Sequence, residues 1–287
     1  MRNSLAALPL AIALLGGVTL PSSPTPAGSH GSADTSSMTA ADAQPAICED
    51  VIDNDDCHSR YPAGCNARGS YDAALSFLKD RVDFPSVTSA PLLRQADFAT
   101  LESLIPAGVG TSNHGEFLDE LKALGEQEQH VVVGYLYPSK TEGGESSNCE
   151  LEATPEEVDF HLYIGFDEDI ARQLRNGKAF KGAAKSALNR QAVIVEMTPH
   201  FRERFEPEWT FDKISALTGR QVKVAGQLLL DNEHDIRTQN CGLPGADQTK
   251  CWRASAWELH PVTQFWVCPT DKCDTNGSAW VSIADTR

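Results

Sequence analysis

The feature that most restricts the fold is a series of five β-rich segments in the second half of the chain. They are His130–Tyr137 (HVVVGYLY), Val158–Phe166 (VDFHLYIGF), Ala192–Thr198 (AVIVEMT), Gln221–Leu230 (QVKVAGQLLL) and Ser255–Val267 (SAWELHPVTQFWV, interrupted at Pro261). The second alternates, with Phe160, Leu162, Ile164 and Phe166 on one face and Asp159, His161 and Tyr163 on the other. Glu208–Leu217 reads as a helix between the third and fourth strands, and 167–188 adds helix between the second and third. Five strands with a helix after the third is the order of the OB-fold, a small Greek-key barrel. The expected fold is therefore α+β: a five-stranded OB-like β-barrel over 128–287, with a helical N-terminal region. An unrelated sandwich or two unconnected sheets fit the same segments with other pairings.

Residues 47–127 read as a helical, disulfide-tied region. Tyr71–Val82 carries Ala74, Leu75, Leu78 and Val82 on one side, a second helix is expected from Pro91 to about Pro106, and a third over Gly115–Leu124. Ahead of them, LAALPLAIALL at 5–15 is apolar but shorter than the roughly 20 residues that cross a bilayer. With Arg2 before it and small residues behind, it reads as a signal peptide over 1–27, followed by a Ser-, Ala-, Thr- and Pro-rich lead-in over 28–46 expected to be disordered. The implied location is secreted or periplasmic, with no transmembrane segment once the signal is removed.

The eight cysteines all lie beyond that segment, and an even number in an exported chain points to disulfides. Cys241 with Cys251 and Cys268 with Cys273 are expected to form small closed loops. Cys48, Cys57 and Cys65 cluster, and one of them is a candidate partner for Cys149. The absence of a tight C-x-x-C pair disfavours zinc–thiolate binding.

Forty acidic against 24 basic side chains give a formal charge of -16, which disfavours nucleic acid and favours cationic ligands or metal ions. Strand parity then selects a polar set. If Phe160, Leu162, Trp257 and Leu259 point inward, Asp159, His161, Glu196, Glu258 and His260 point outward. The OB ligand face is bordered by the loops after strands one and four, here 138–157 and 231–254. The second contains Asp231, Glu233 and His234. Asp159, His161, Tyr163, Glu196 and Asp231 are the candidate ligand-binding residues. His161, His234, Glu258 and His260 are the candidate ligands of a divalent metal such as Zn. A histidine beside a carboxylate also suits general-base chemistry. The plainer reading ties His260 and Glu258 to the fold by hydrogen bonds and leaves His161 exposed.

The segments Asp159-Phe-His161-Leu, Val195-Glu196-Met-Thr-Pro199, Leu230-Asp231-Asn-Glu-His234 and Trp257-Glu258-Leu-His260-Pro261-Val262 resemble a group of exported bacterial proteins without an established activity. That group reads D-x-H-L, V-E-x-x-P, D-x-x-H and E-L-H-P-V in the same order. The resemblance covers roughly residues 130–268; it implies an OB-like barrel and says almost nothing about function. This chain departs from the group in its cysteine-bearing insert, Asn232–Ala254, and in the approach to strand two around Asn148-Cys149, which lacks the group's extra acids. The expected function is an exported, disulfide-stabilised OB-fold binding module for a cationic ligand, a metal ion or an envelope protein. The alternative is a metal-dependent hydrolase, of phosphodiesterase or nuclease type, on the same scaffold.

Overall fold

A computed structural model describes residues 47–66, 71–84, 90–243 and 245–286. The expected signal peptide (1–27) and lead-in (28–46) lie outside the described residues. In chain order the N-terminal region forms α1 (Asn54–Arg60), α2 (Ala73–Lys79), β1 (Leu92–Leu93), α3 (Gln95–Leu104) and α4 (Leu118–Ala123). There follow β2 (Gln129–Leu136), β3 (Lys140–Thr141), β4 (Phe160–Gly165), α5 (Glu168–Arg175), α6 (Ala183–Asn189) and β5 (Val193–Met197). The chain ends with α7 (Pro199–Phe205), α8 (Phe211–Ser215), β6 (Gln221–Leu230), α9 (Ile236–Gln239), β7 (Trp257–Val267) and β8 (Val281–Ser282). No helix among the described residues is long and apolar enough to cross a membrane.

The five long strands close a barrel in the order β2–β4–β5–β7–β6 and back to β2. All neighbours are antiparallel except β5 and β7, which run parallel through Val195↔Leu259. This is the OB-like arrangement expected from the strand order. Closure needs close approach of β2 and β4. A Cβ on Gly134 would sit 2.6 Å from Ile164, and one on Gly165 would run into the Tyr137 ring. Pro261 is accommodated where the β6–β7 register shifts opposite Gly226. Inside the barrel, Leu162, Val195, Val224, Leu228, Leu259 and Phe265 pack with Trp209 and Ile214 from the chain between β5 and β6.

Two local expectations change. Leu92 and Leu93 pair in parallel with Val131 and Val132, so α3 starts only at Gln95. The segment at 114–123 opens as a 3-10 turn, His114–Phe117, before α4. Phe201, Arg202 and Trp209 are buried. Arg202 donates to the carbonyls of Val158 (2.6 Å) and Met197 (3.1 Å) and lies over the Phe160 ring.

Four disulfides join Cys48–Cys65, Cys57–Cys149, Cys241–Cys251 and Cys268–Cys273. The two local loops are as expected, and Cys57 is the partner of Cys149. The described residues form one compact unit with the helical region packed on the barrel. Leu75 and Leu78 of α2 cover Leu229 on the outside of β6, and the Gln227 amide donates to the Leu78 carbonyl at 2.8 Å.

Candidate functional site

Register brings the polar set together. His161 pairs with Glu196 across β4–β5, and Val195 pairs with Leu259, which places Glu196 beside Glu258 and His260. Glu196 stands between two histidines: Oε1 is 3.3 Å from His161 Nδ1, and Oε2 is 3.3 Å from His260 Nδ1. His260 Nδ1 also meets Glu258 Oε1 at 3.0 Å, while His260 Nε2 is 3.8 Å from Asp159 Oδ2. Asp159, His161, Glu196, Glu258 and His260 do share the outer face, but that face is not at the surface. All five are buried beneath α2 and the two bordering loops. The expectation of an exposed His161 is therefore corrected: hydrophobic packing of α2 and the Cys57–Cys149 link roof this part of the barrel.

Above Glu196 lies a cavity of about 290 Å³. The first loop supplies Lys140, Glu142 and Glu145, the second Asp231, His234 and Trp252, with Lys79 from α2 and His161 and Glu196 from the barrel. Asp231 is neutralised by the buried guanidinium of Arg253. His234 stands exposed at the rim, its ring 5.5 Å from Trp252, and is not part of the His260 cluster. Tyr163 faces an apolar cluster with Tyr135 and Tyr137 and does not line the cavity. Spacing offered no sign of Lys79, Glu142, Glu145, Trp252 or Arg253. The nearest signal was the expectation that the loops 138–157 and 231–254 border the ligand face.

Burial and crowding of like charge control protonation. Burial pushes Asp159 up to about 7 and Glu145 up to about 8, against the opposing pull of Lys79. Glu196 and Glu258 are driven well above the carboxylate range by burial, with neighbouring carboxylates adding to it. Burial holds His260 well below its ordinary value and lowers His161 too. Two acids go the other way. Burial works against Glu142, yet His161 and Lys140 hold it down to about 2; Arg253 and Lys79 likewise outweigh burial at Asp231, which stays well below the carboxylate range.

These shifts fix a sign for the pH dependence. Between about pH 7.5 and 8.5, unfolded histidines are largely neutral and unfolded carboxylates ionised. The folded protein still holds protons on Glu145, Glu196 and Glu258, and on part of the Asp159 population, so it binds more protons than the unfolded chain and loses stability as pH rises. His114, raised by Glu126 in spite of burial, acts in the same direction. The unfolding free energy of chelator-treated protein, read from urea titration, should fall over this interval by at most about 1.4 kcal/mol per group per pH unit. Asp159→Asn/Glu145→Gln should flatten the slope. A midpoint that rises with pH would contradict the assignment.

Ligand atoms of Asp159, Glu196 and His260 lie within 4.8 Å of one another and form a potential metal-binding set. Both Asp159 oxygens, Glu196 Oε2 and His260 Nε2 are buried without a hydrogen-bond partner among the described residues. Unpartnered buried polar atoms are costly, on the order of 1–3 kcal/mol each. A cation would relieve several of them at once. Glu258 at His260 Nδ1 would then play the part of the carboxylate that orients a metal-binding imidazole. Comparison with protein-family models, curated proteins and solved structures finds no match to this chain, so the site's chemistry rests on its own geometry.

Proposed function

We propose that this chain is an exported, disulfide-stabilised barrel module that holds a divalent metal ion on Asp159, Glu196 and His260. The observation that carries the reading is the convergence of three buried potential ligands whose facing atoms lack hydrogen-bond partners. One imidazole and two carboxylates suit Zn²⁺ or Mn²⁺ better than a soft, thiolate-seeking ion. Export is supported by the four disulfides, which persist in oxidising compartments. The four segments shared with the exported bacterial group agree with that location. The hydrolase alternative has less support, because a phosphodiester would meet four carboxylates in the cavity wall.

The test is elemental analysis of the oxidised protein together with calorimetric titration of Zn²⁺ and Mn²⁺. About one ion per chain is expected, and saturation at ~100 times Kd should stabilise the fold by about 2.7 kcal/mol. Glu196→Gln should abolish uptake without destabilising the metal-free protein, because it replaces a buried carboxyl with an uncharged amide of similar shape. His260→Ala should abolish uptake as well. No uptake by wild type, with no heat of binding, would sink the reading.

A further inference from the structure

We propose that the stacked pair His58–His200 is an acid-operated latch between α1 and α7. Both rings are neutral while the helices are in contact, and proton uptake in mildly acidic surroundings parts them. Neither a metal ion nor a ligand in the cavity takes part.

His58 lies on α1 and His200 on α7, and their ring centroids are 3.3 Å apart at an interplanar angle of 30°. Two imidazolium rings at that spacing would repel strongly, and burial leaves either charge little water. The His58 side chain is only 6% exposed, and its Nε2 has no hydrogen-bond partner among the described residues. The charged groups around the pair do not make up for this. Asp80, at the end of α2, is buried and lies 4.0 Å from His58 Nδ1, too far for a hydrogen bond. Asp55 on α1 and Arg204 on α7 act on His200 with opposite signs. Glu203 on α7 is engaged by the Asn54 amide, which donates to it at 2.8 Å.

Protonation follows this geometry. Burial, and then the neighbouring His200, hold His58 down to about 3. Burial, and then Arg204, hold His200 down to about 4, against the pull of Asp55. Once the helices part, each ring regains water and titrates at about 6.5. Between about pH 4 and 6.5 the parted state therefore binds more protons than the closed one. The contact is at full strength above about pH 6.5 and weakens as pH falls through that window. The Cys57–Cys149 disulfide keeps α1 tied to the loop beside the cavity throughout. Opening is thus a tethered local event, not loss of the fold.

Two measurements on the oxidised protein test the latch. Proton NMR titration of the imidazoles should give His58 and His200 midpoints below about 5.5, well under that of a free imidazole. Hydrogen exchange over α1, corrected for its intrinsic pH dependence, reports the opening constant. From about pH 7 to 5 that constant should rise roughly 20-fold per histidine. In His58→Phe/His200→Phe the rings still stack but take no proton, so the rise should shrink to less than about threefold. His200→Phe alone should leave about half of the rise on a logarithmic scale, and it serves if the double variant does not fold. The latch is overturned if either histidine of the folded protein titrates above about 5.5, or if α1 of wild type opens equally at both pH values. It is also overturned if the folded phenylalanine variants keep the wild-type pH dependence.

Discussion

Replacing Cys57 and Cys149 together with alanine lowers the unfolding free energy by about 4–5 kcal/mol, the largest loss expected from removing any one disulfide of this protein. The disulfide joins residues 92 positions apart, and restraint of the unfolded chain grows with the logarithm of loop length. Removing Cys268–Cys273, which are five apart, should cost only about 2 kcal/mol on the same argument. Urea titration of both double variants checks the pair of values. Equal losses would refute the loop-length account. The long link also fastens α1 to the loop that borders the site. Cys57 lies on α1, which stacks His58 on His200 of α7 and hydrogen-bonds Asn54 to Glu203. Cys149 lies in the loop that carries Lys140, Glu142 and Glu145 to the cavity. Faster amide exchange in both segments should therefore accompany the loss of stability.

Arg253→Met should cost about 3–5 kcal/mol, because it removes one partner of a buried ion pair and leaves the other charged. Arg253 is fully buried, bonds the Asp231 carboxylate and the Asp231 carbonyl (2.8 Å), and lies 3.9 Å from Glu258. Without the guanidinium, Asp231 and Glu258 face the already crowded carboxylates of Glu196 and Asp159. Adding Asp231→Asn to the Arg253→Met background should recover at least half of the loss, since the stranded charge is then gone. Failure of the second change to rescue would show that the lost guanidinium bond to the Asp231 carbonyl, not the stranded carboxylate charge, dominates.

The barrel was legible because strand patterning is local information. All five expected strands form, with ends displaced by at most two residues, and Gln221–Leu230 matches throughout. Inward and outward parity followed from Leu162 and Leu259, which are buried in the core as expected. The same parity grouped Asp159, His161, Glu196, Glu258 and His260, though it also offered Tyr163, which faces an apolar cluster, while His234, offered by the loop after strand four, lies at the cavity rim and not beside His260. α3 was misread at its start because Leu92 and Leu93 find a strand partner in β2, a tertiary contact that no helical periodicity reveals.

By itself the sequence determined the period of each strand, the face each polar residue takes and the local disulfides, all consequences of backbone geometry within a few residues. Only the tertiary structure decided that the polar face is roofed. Burial is a sum over contacts from distant segments: Lys79 reaches Glu233 across 154 positions, and Gln227 bonds Leu78 across 149. The same roof turns exposed-looking acids and histidines into a desolvated cluster with displaced protonation. Parity along a strand states which way a side chain points, and what waits there depends on where the rest of the chain packs.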